Sequence, residues 1–88
     1  MSPEQCRAAR AWLDWTQQEL ARLAGVGLST VRDFEKGERT PIPNNLAAIR
    51  RAIERAGIQP VFDKSGNATG LTAGRGPISE VSGKSDDE

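Results

Sequence analysis

TQQELARLAGVGLSTVRDFEKG, Thr16 to Gly37, is the stretch that decides how this 88-residue chain folds. Thr16-Gln17-Gln18-Glu19 is a capping box, with Thr as N-cap and Glu three residues on. Trp15 just before the cap and Leu20 four residues inside make a hydrophobic staple. Leu20, Leu23 and Ala24 give the helix an apolar stripe, and Gly25 ends it. Only Val26 and Gly27 then precede a second apolar-periodic run, Leu28 to Lys36, which Gly37 stops. A connection this short makes the two helices cross steeply rather than lie antiparallel.

Upstream, Ser2-Pro3-Glu4-Gln5 starts another helix: Ser as N-cap, Pro in the first helical position, Gln completing a capping box. That helix is predicted to run to about Leu13, with Cys6, Ala9 and Leu13 on its buried face and a break at Asp14-Trp15. Downstream, Pro41 and Pro43 make residues 38–43 irregular. A fourth helix opens at Pro43 or Asn44 and runs to about Ala56, with Leu46, Ile49, Ala52, Ile53 and Ala56 as its stripe. Gly57 closes it. Ile58 to Phe62 reads as a short strand that Pro60 confines to a sheet edge. Residues 63–67 are turn chemistry, and Ala68 to Ala73 can return as a second strand. A lone hairpin is marginal in water, so it must lean on the helices or on a second copy. The predicted organisation is a four-helix domain over 1–57, a short β extension over 58–74 that is a candidate dimerisation element, and a flexible acidic tail over 75–88.

Composition bounds the chemistry. The single cysteine, Cys6, cannot form a disulfide within the chain and reads as a small buried apolar residue. The absence of histidine removes His-based acid–base catalysis and His-ligated zinc, and no phosphate-cradling loop or metal-ligand cluster is present; no enzyme, cofactor or metal is expected. With no run of about 18 apolar residues and no signal-like segment, the expectation is a cytoplasmic protein without membrane contact. The net charge is zero, but residues 1–60 hold nine Lys/Arg against seven Asp/Glu, while residues 61–88 hold three against five. The front is mildly basic, which permits nucleic-acid binding without demanding it.

The run Leu28–Lys36 carries Arg32 and Lys36 against Asp33 and Glu35. At about 100° per residue, Val31 and Phe34 define its inner side. Ser29, Arg32, Asp33 and Lys36 project outward, with Leu28 and Thr30 at the margins. Glu35 lies on the flank nearer the core, and its natural partner is Arg10, one turn before the first helix ends. Removing Glu35 from the outer face leaves that face modestly positive. Arg50, Arg51 and Arg55 read as a solvated face with Glu54, Trp15 as core, and Trp12 as a core or interface aromatic.

Thr16-Gln17-Gln18-Glu19-Leu20-Ala21, Ala24-Gly25-Val26, Ser29-Thr30-Val31 and Phe34-Glu35-Lys36-Gly37 resemble the XRE or Cro/repressor-type helix-turn-helix domain, over about residues 3–57. The resemblance implies an all-α, lambda-repressor-like fold of four helices, here with a short C-terminal β-strand or hairpin where a fifth, dimerising helix often follows. It places Leu28, Ser29, Arg32 and Asp33 at base edges in the major groove. It places Thr16, Gln17, Thr30, Lys36, Arg39, Thr40 and Asn44 on phosphates. For Gln17 the free N–H groups and dipole of a helix start agree. Arg10 and Glu35 match an ion pair of the family. The chain departs from it at Gly27, where Ser or Thr often caps the recognition helix, and at Leu28, where Gln often reads adenine.

The expected function is therefore that of a bacterial transcriptional regulator, a repressor binding a palindromic, double-stranded operator as a homodimer. The alternatives are a DNA-binding antitoxin of a toxin–antitoxin pair and an accessory regulator acting through a protein partner.

Overall fold

The computed structural model describes residues 1–74; the predicted acidic tail, 75–88, lies outside the described residues. Four helices and a hairpin follow one another: α1 (Pro3–Leu13), α2 (Gln17–Ala24), α3 (Leu28–Glu35), α4 (Pro43–Arg55), β1 (Gln59–Phe62) and β2 (Ala68–Thr72). The hairpin makes the fold mostly α rather than all-α.

Local chemistry sets the helix starts. Ser2 Oγ accepts from the Gln5 amide at 3.0 Å while Gln5 Oε1 accepts from the Ser2 amide at 2.9 Å. Thr16 and Glu19 make the same reciprocal pair at 3.0 and 2.8 Å. Each box satisfies two donors that a helix start would otherwise leave bare. α1 stops where Asp14 takes a left-handed conformation (φ 59°), which Asp tolerates better than most residues, and the Trp15 amide turns back to the Arg10 carbonyl at 2.9 Å. Gly25 supplies the next left-handed cap (φ 72°). α3 is one residue shorter than expected, because Lys36 already serves as its C-cap. α4 likewise ends at Arg55, with Ala56 as the cap.

The core collects Cys6 and Ala9 from α1, Leu20 and Ala21 from α2, Val31 and Phe34 from α3, and Ile49, Ala52 and Ile53 from α4, with Ile58 just beyond. Fully burying a side chain such as Leu20 contributes about 1.5–3 kcal/mol. Trp15 packs against this cluster from the side. Two expectations need correction. Leu23, assigned to the buried stripe of α2, is 42 % exposed, and Ala21 is buried in its place. The inward direction of α2 points between Leu20 and Ala21, so Leu23 falls to the rim, beside Trp15, Ala52, Arg55 and Ala56. Ile58 does not begin the strand: its amide returns to the Ile53 carbonyl at 3.2 Å, and its side chain fills the core.

The hairpin is antiparallel, with Gln59, Pro60 and Val61 opposite Thr72, Leu71 and Gly70, and a bulge before Phe62. Asp63 shapes its turn: Oδ1 accepts from the Ser65 and Asn67 amides at 2.8 and 2.9 Å. β2 leans on α1, where buried Gln5 donates to the carbonyls of Val61 (2.9 Å) and Gly70 (3.0 Å). Among the described residues no helix is long and apolar enough to cross a membrane.

Candidate nucleic-acid interface

α3 buries Val31, Phe34 and Glu35 and exposes Ser29, Arg32 and Lys36, with Thr30 and Asp33 half-buried beside them. Leu28 is partly buried at the margin, where it packs on the core while leaving an edge outward. The outer row of α3 thus presents a hydroxyl, a guanidinium and an ammonium at successive turns.

Glu35 takes no part in that row. It is 2 % exposed, and its carboxylate is enclosed by donors. Arg10 approaches side-on, Nε to Oε2 at 2.7 Å and Nη2 to Oε1 at 2.8 Å. Gln17 Nε2 donates to Oε1 at 3.0 Å and the Cys6 thiol to Oε2 at 3.2 Å. Burial alone would raise this carboxyl, but the hydrogen bonds from Arg10, Gln17 and Cys6 outweigh it and hold it below the usual carboxylate range. Arg7 adds a contact from its guanidinium to the Glu35 backbone carbonyl. The C-terminal end of α3 is therefore clamped to α1 and to the first residue of α2, which sets the orientation of the outer row.

This network has a consequence for Gln17. Its side-chain amide is turned inward to Glu35, while Thr16 and the start of α2 remain at the surface. Gln17 can still offer a phosphate the uncapped N–H groups of its helix start, and the ordering of its side chain fixes where that start lies.

Behind α3 a cleft of about 210 Å³ is lined by Ser29, Thr30, Asp33, Arg39, Thr40 and Asn45, among others. It gathers expected residues from α3 and from the loop that follows it. Asn44 is exposed at the start of α4 and does not line it; its neighbour Asn45 does. The sequence pattern does not single out Asn45. The available signal was its place in the first turn of α4, where side chains lean back over the helix start. Among the described residues the ion pairs are Arg10–Glu35 and Arg50–Glu54. Asp33 thus does not hold Arg32 by a salt bridge. Arg50 is occupied twice, by Glu54 at 2.8 Å and by the Phe62 ring at 5.4 Å, and belongs to the joint between α4 and the hairpin.

The arrangement offers chemistry for recognition: outward donors on a short helix, two helix starts and one polar cleft. Among the described residues there is no cluster of three or more metal-ligating side chains. A search of curated proteins finds no match to the chain. The family described as Helix-turn-helix matches residues 7–56, a span that opens in α1 and closes at the cap of α4. With more than half of its length so matched, the chain belongs to the XRE-type helix-turn-helix family of DNA-binding transcriptional regulators.

Proposed function

We propose that the chain is a sequence-specific repressor of lambda-repressor-like architecture, acting in the bacterial cytoplasm. It binds a palindromic operator as a dimer, with α3 of each copy in successive major grooves about 34–36 Å apart. The observation that carries this reading is the exposed row Ser29, Arg32 and Lys36 on a helix whose acidic end residue is buried and neutralised by Arg10. Arg32 reads a base edge, most naturally guanine O6 and N7. Ser29 and the outer edge of Leu28 make shorter contacts, and Asp33 accepts from cytosine N4 or repels a misplaced acceptor. Thr16, Gln17, Thr30, Lys36, Arg39, Thr40 and Asn44 hold phosphates, and Asn45 joins them through the cleft it shares with Arg39 and Thr40.

The test is selection of a preferred duplex from a random pool, followed by binding titrations on it. Arg32→Ala is expected to lose about 1–3 kcal/mol, roughly fivefold to 150-fold in affinity, and to relax preference at one base pair. Arg39→Ala is expected to weaken all duplexes alike and to lower the slope of log affinity against log salt by about 1. Equal binding of wild type and Arg32→Ala to every selected sequence would sink the reading.

A further inference from the structure

α1 reaches α3 from one flank, through Arg7 and Arg10. Its opposite flank carries Glu4, Ala8 and Trp12, one turn apart, and Trp12 is 69 % exposed. A groove of about 650 Å³ runs along that flank, bounded on its far side by Ala68, Thr69, Gly70 and Leu71 of β2. No β1 residue lines it, so it follows the outer edge of β2.

The polarity of that edge follows from Gln5. Its Nε2 lies 2.9 Å from the Val61 carbonyl oxygen and 3.0 Å from that of Gly70. Two oxygens that share one nitrogen must both point into the ladder between the strands; outward-pointing ones would lie on opposite edges of the hairpin. Backbone groups alternate along an antiparallel pair, so the neighbouring pair, Pro60 and Leu71, points outward. On the β1 edge Pro60 has no N–H to offer. On the β2 edge Leu71 presents both N–H and carbonyl, and among the described residues no strand takes them. Proteins guard such edges with charge, proline or a cover. β1 has its proline, whereas β2 reads Ala-Thr-Gly-Leu-Thr, with neither charge nor proline.

We propose that this edge and groove are the self-association surface of the protein, an inference that rests on the dimeric reading above. A second copy lays its β2 antiparallel against the first around a two-fold axis, giving one four-stranded sheet in the order β1–β2–β2–β1. The occupant is a second copy because the patch is self-complementary. Each chain carries both a projecting ring, Trp12, and a groove floored by the small residues Ala8, Ala68 and Gly70. An isologous contact requires that one surface supply both parts. The strand has no charge to oppose its own copy, and Glu4 is the only charged residue lining the groove. A four-stranded sheet also cures the weakness of a two-stranded one.

The experiment is light-scattering mass measurement of the full chain across a concentration series, with wild type, Trp12→Glu, Leu71→Pro and Ile42→Asp. Ile42 is a control at another large exposed apolar side chain, away from this groove. Wild type and Ile42→Asp are expected to run as two chains, Trp12→Glu and Leu71→Pro as one, all with unchanged helical circular dichroism. Trp12→Glu changes a side chain that is mostly in solvent, so the test survives a folding defect in Leu71→Pro. If Trp12→Glu stays dimeric while Ile42→Asp becomes monomeric, the surface is overturned and the dimeric reading stands. If wild type is one chain in solution and one chain per operator, both fall. A wild type that is one chain until a different protein occupies the groove also overturns the proposal.

Discussion

Glu35 remains ionised while nearly excluded from water because Arg10, Gln17 and Cys6 all donate to its two oxygens. Breaking a buried pair of this kind by removing one partner costs about 3–5 kcal/mol, since the remaining charge is left uncompensated. Arg10→Ala is expected to fall near the lower end of that range, because Gln17 and Cys6 stay in place and Arg10 is itself partly exposed; denaturant unfolding measures it. The same carboxyl sets an acid limit on stability. Its value in the folded state is below its unfolded value of about 4.3, so its contribution is complete above that pH. It is lost as pH falls through the lowered folded value. The urea midpoint of wild type should therefore drop below about pH 4, and that of Glu35→Gln should drop less; parallel curves would refute the assignment. Cys6 meets the opposite pressure. Burial, the hydrogen bond to Glu35 and the nearby negative charge all push its thiol up. It should resist a thiol reagent at pH 8 until the chain is unfolded, and labelling of the native protein at the unfolded rate would contradict this.

At the level of the element, both capping boxes and every glycine stop were legible because each signal lies within four residues of chain. The Arg10–Glu35 pair was also within reach, since helical periodicity alone turns Glu35 inward. The burial of Leu23 was misjudged for a different reason: a wheel gives relative angles within α2, while the direction of the core is set by α4. Asn44 and Asn45 differ by one such angle, and only the placed helix decides which faces the cleft. α3 itself has an improvable start. Gly27 caps it with backbone alone (φ −71°, ψ 150°), a conformation open to any residue. A Cβ there would meet only Thr30 Oγ1 at 3.7 Å and Ser29 Oγ at 3.9 Å, ordinary contacts. Gly27→Ser should therefore stabilise the fold by about 0.5 kcal/mol, through a capping hydroxyl and a less flexible unfolded chain. Thermal melting should show a rise of roughly 2–4 °C. A fall would mean that the loop between α2 and α3 needs the glycine for a reason its backbone angles do not reveal.

For the molecule as a whole, the joint between helices and hairpin was the part no local pattern could announce. Gln5 was legible only as half of a capping box, yet its side chain reaches residues 56 and 65 positions away. One carboxamide does two things: its oxygen closes the start of α1, and its nitrogen pins both strands. These roles can be separated by Gln5→Glu. A carboxylate keeps the acceptor that the capping box needs, so α1 should still begin at Pro3. It loses the donor and sets a negative oxygen against two carbonyl oxygens in a buried site, a change of about 1–3 kcal/mol or more for charge. The hairpin is held to the helices by this contact, by buried Pro60, by Leu71 against the core and by the Arg50–Phe62 stack. The cost should therefore appear first as local opening, with the helical core still folded. Hydrogen exchange by NMR at pH 7 should show the Gly70 and Val61 amides exchanging at least about tenfold faster. Amides of α2 and α4 should keep nearly their wild-type protection. If the surface proposed at β2 is right, the same variant should also dimerise less well while each copy retains its α3 row intact. A uniform loss of protection from α1 to β2 would show instead that hairpin and helices open as a single unit, with Gln5 as part of the core rather than a clasp upon it.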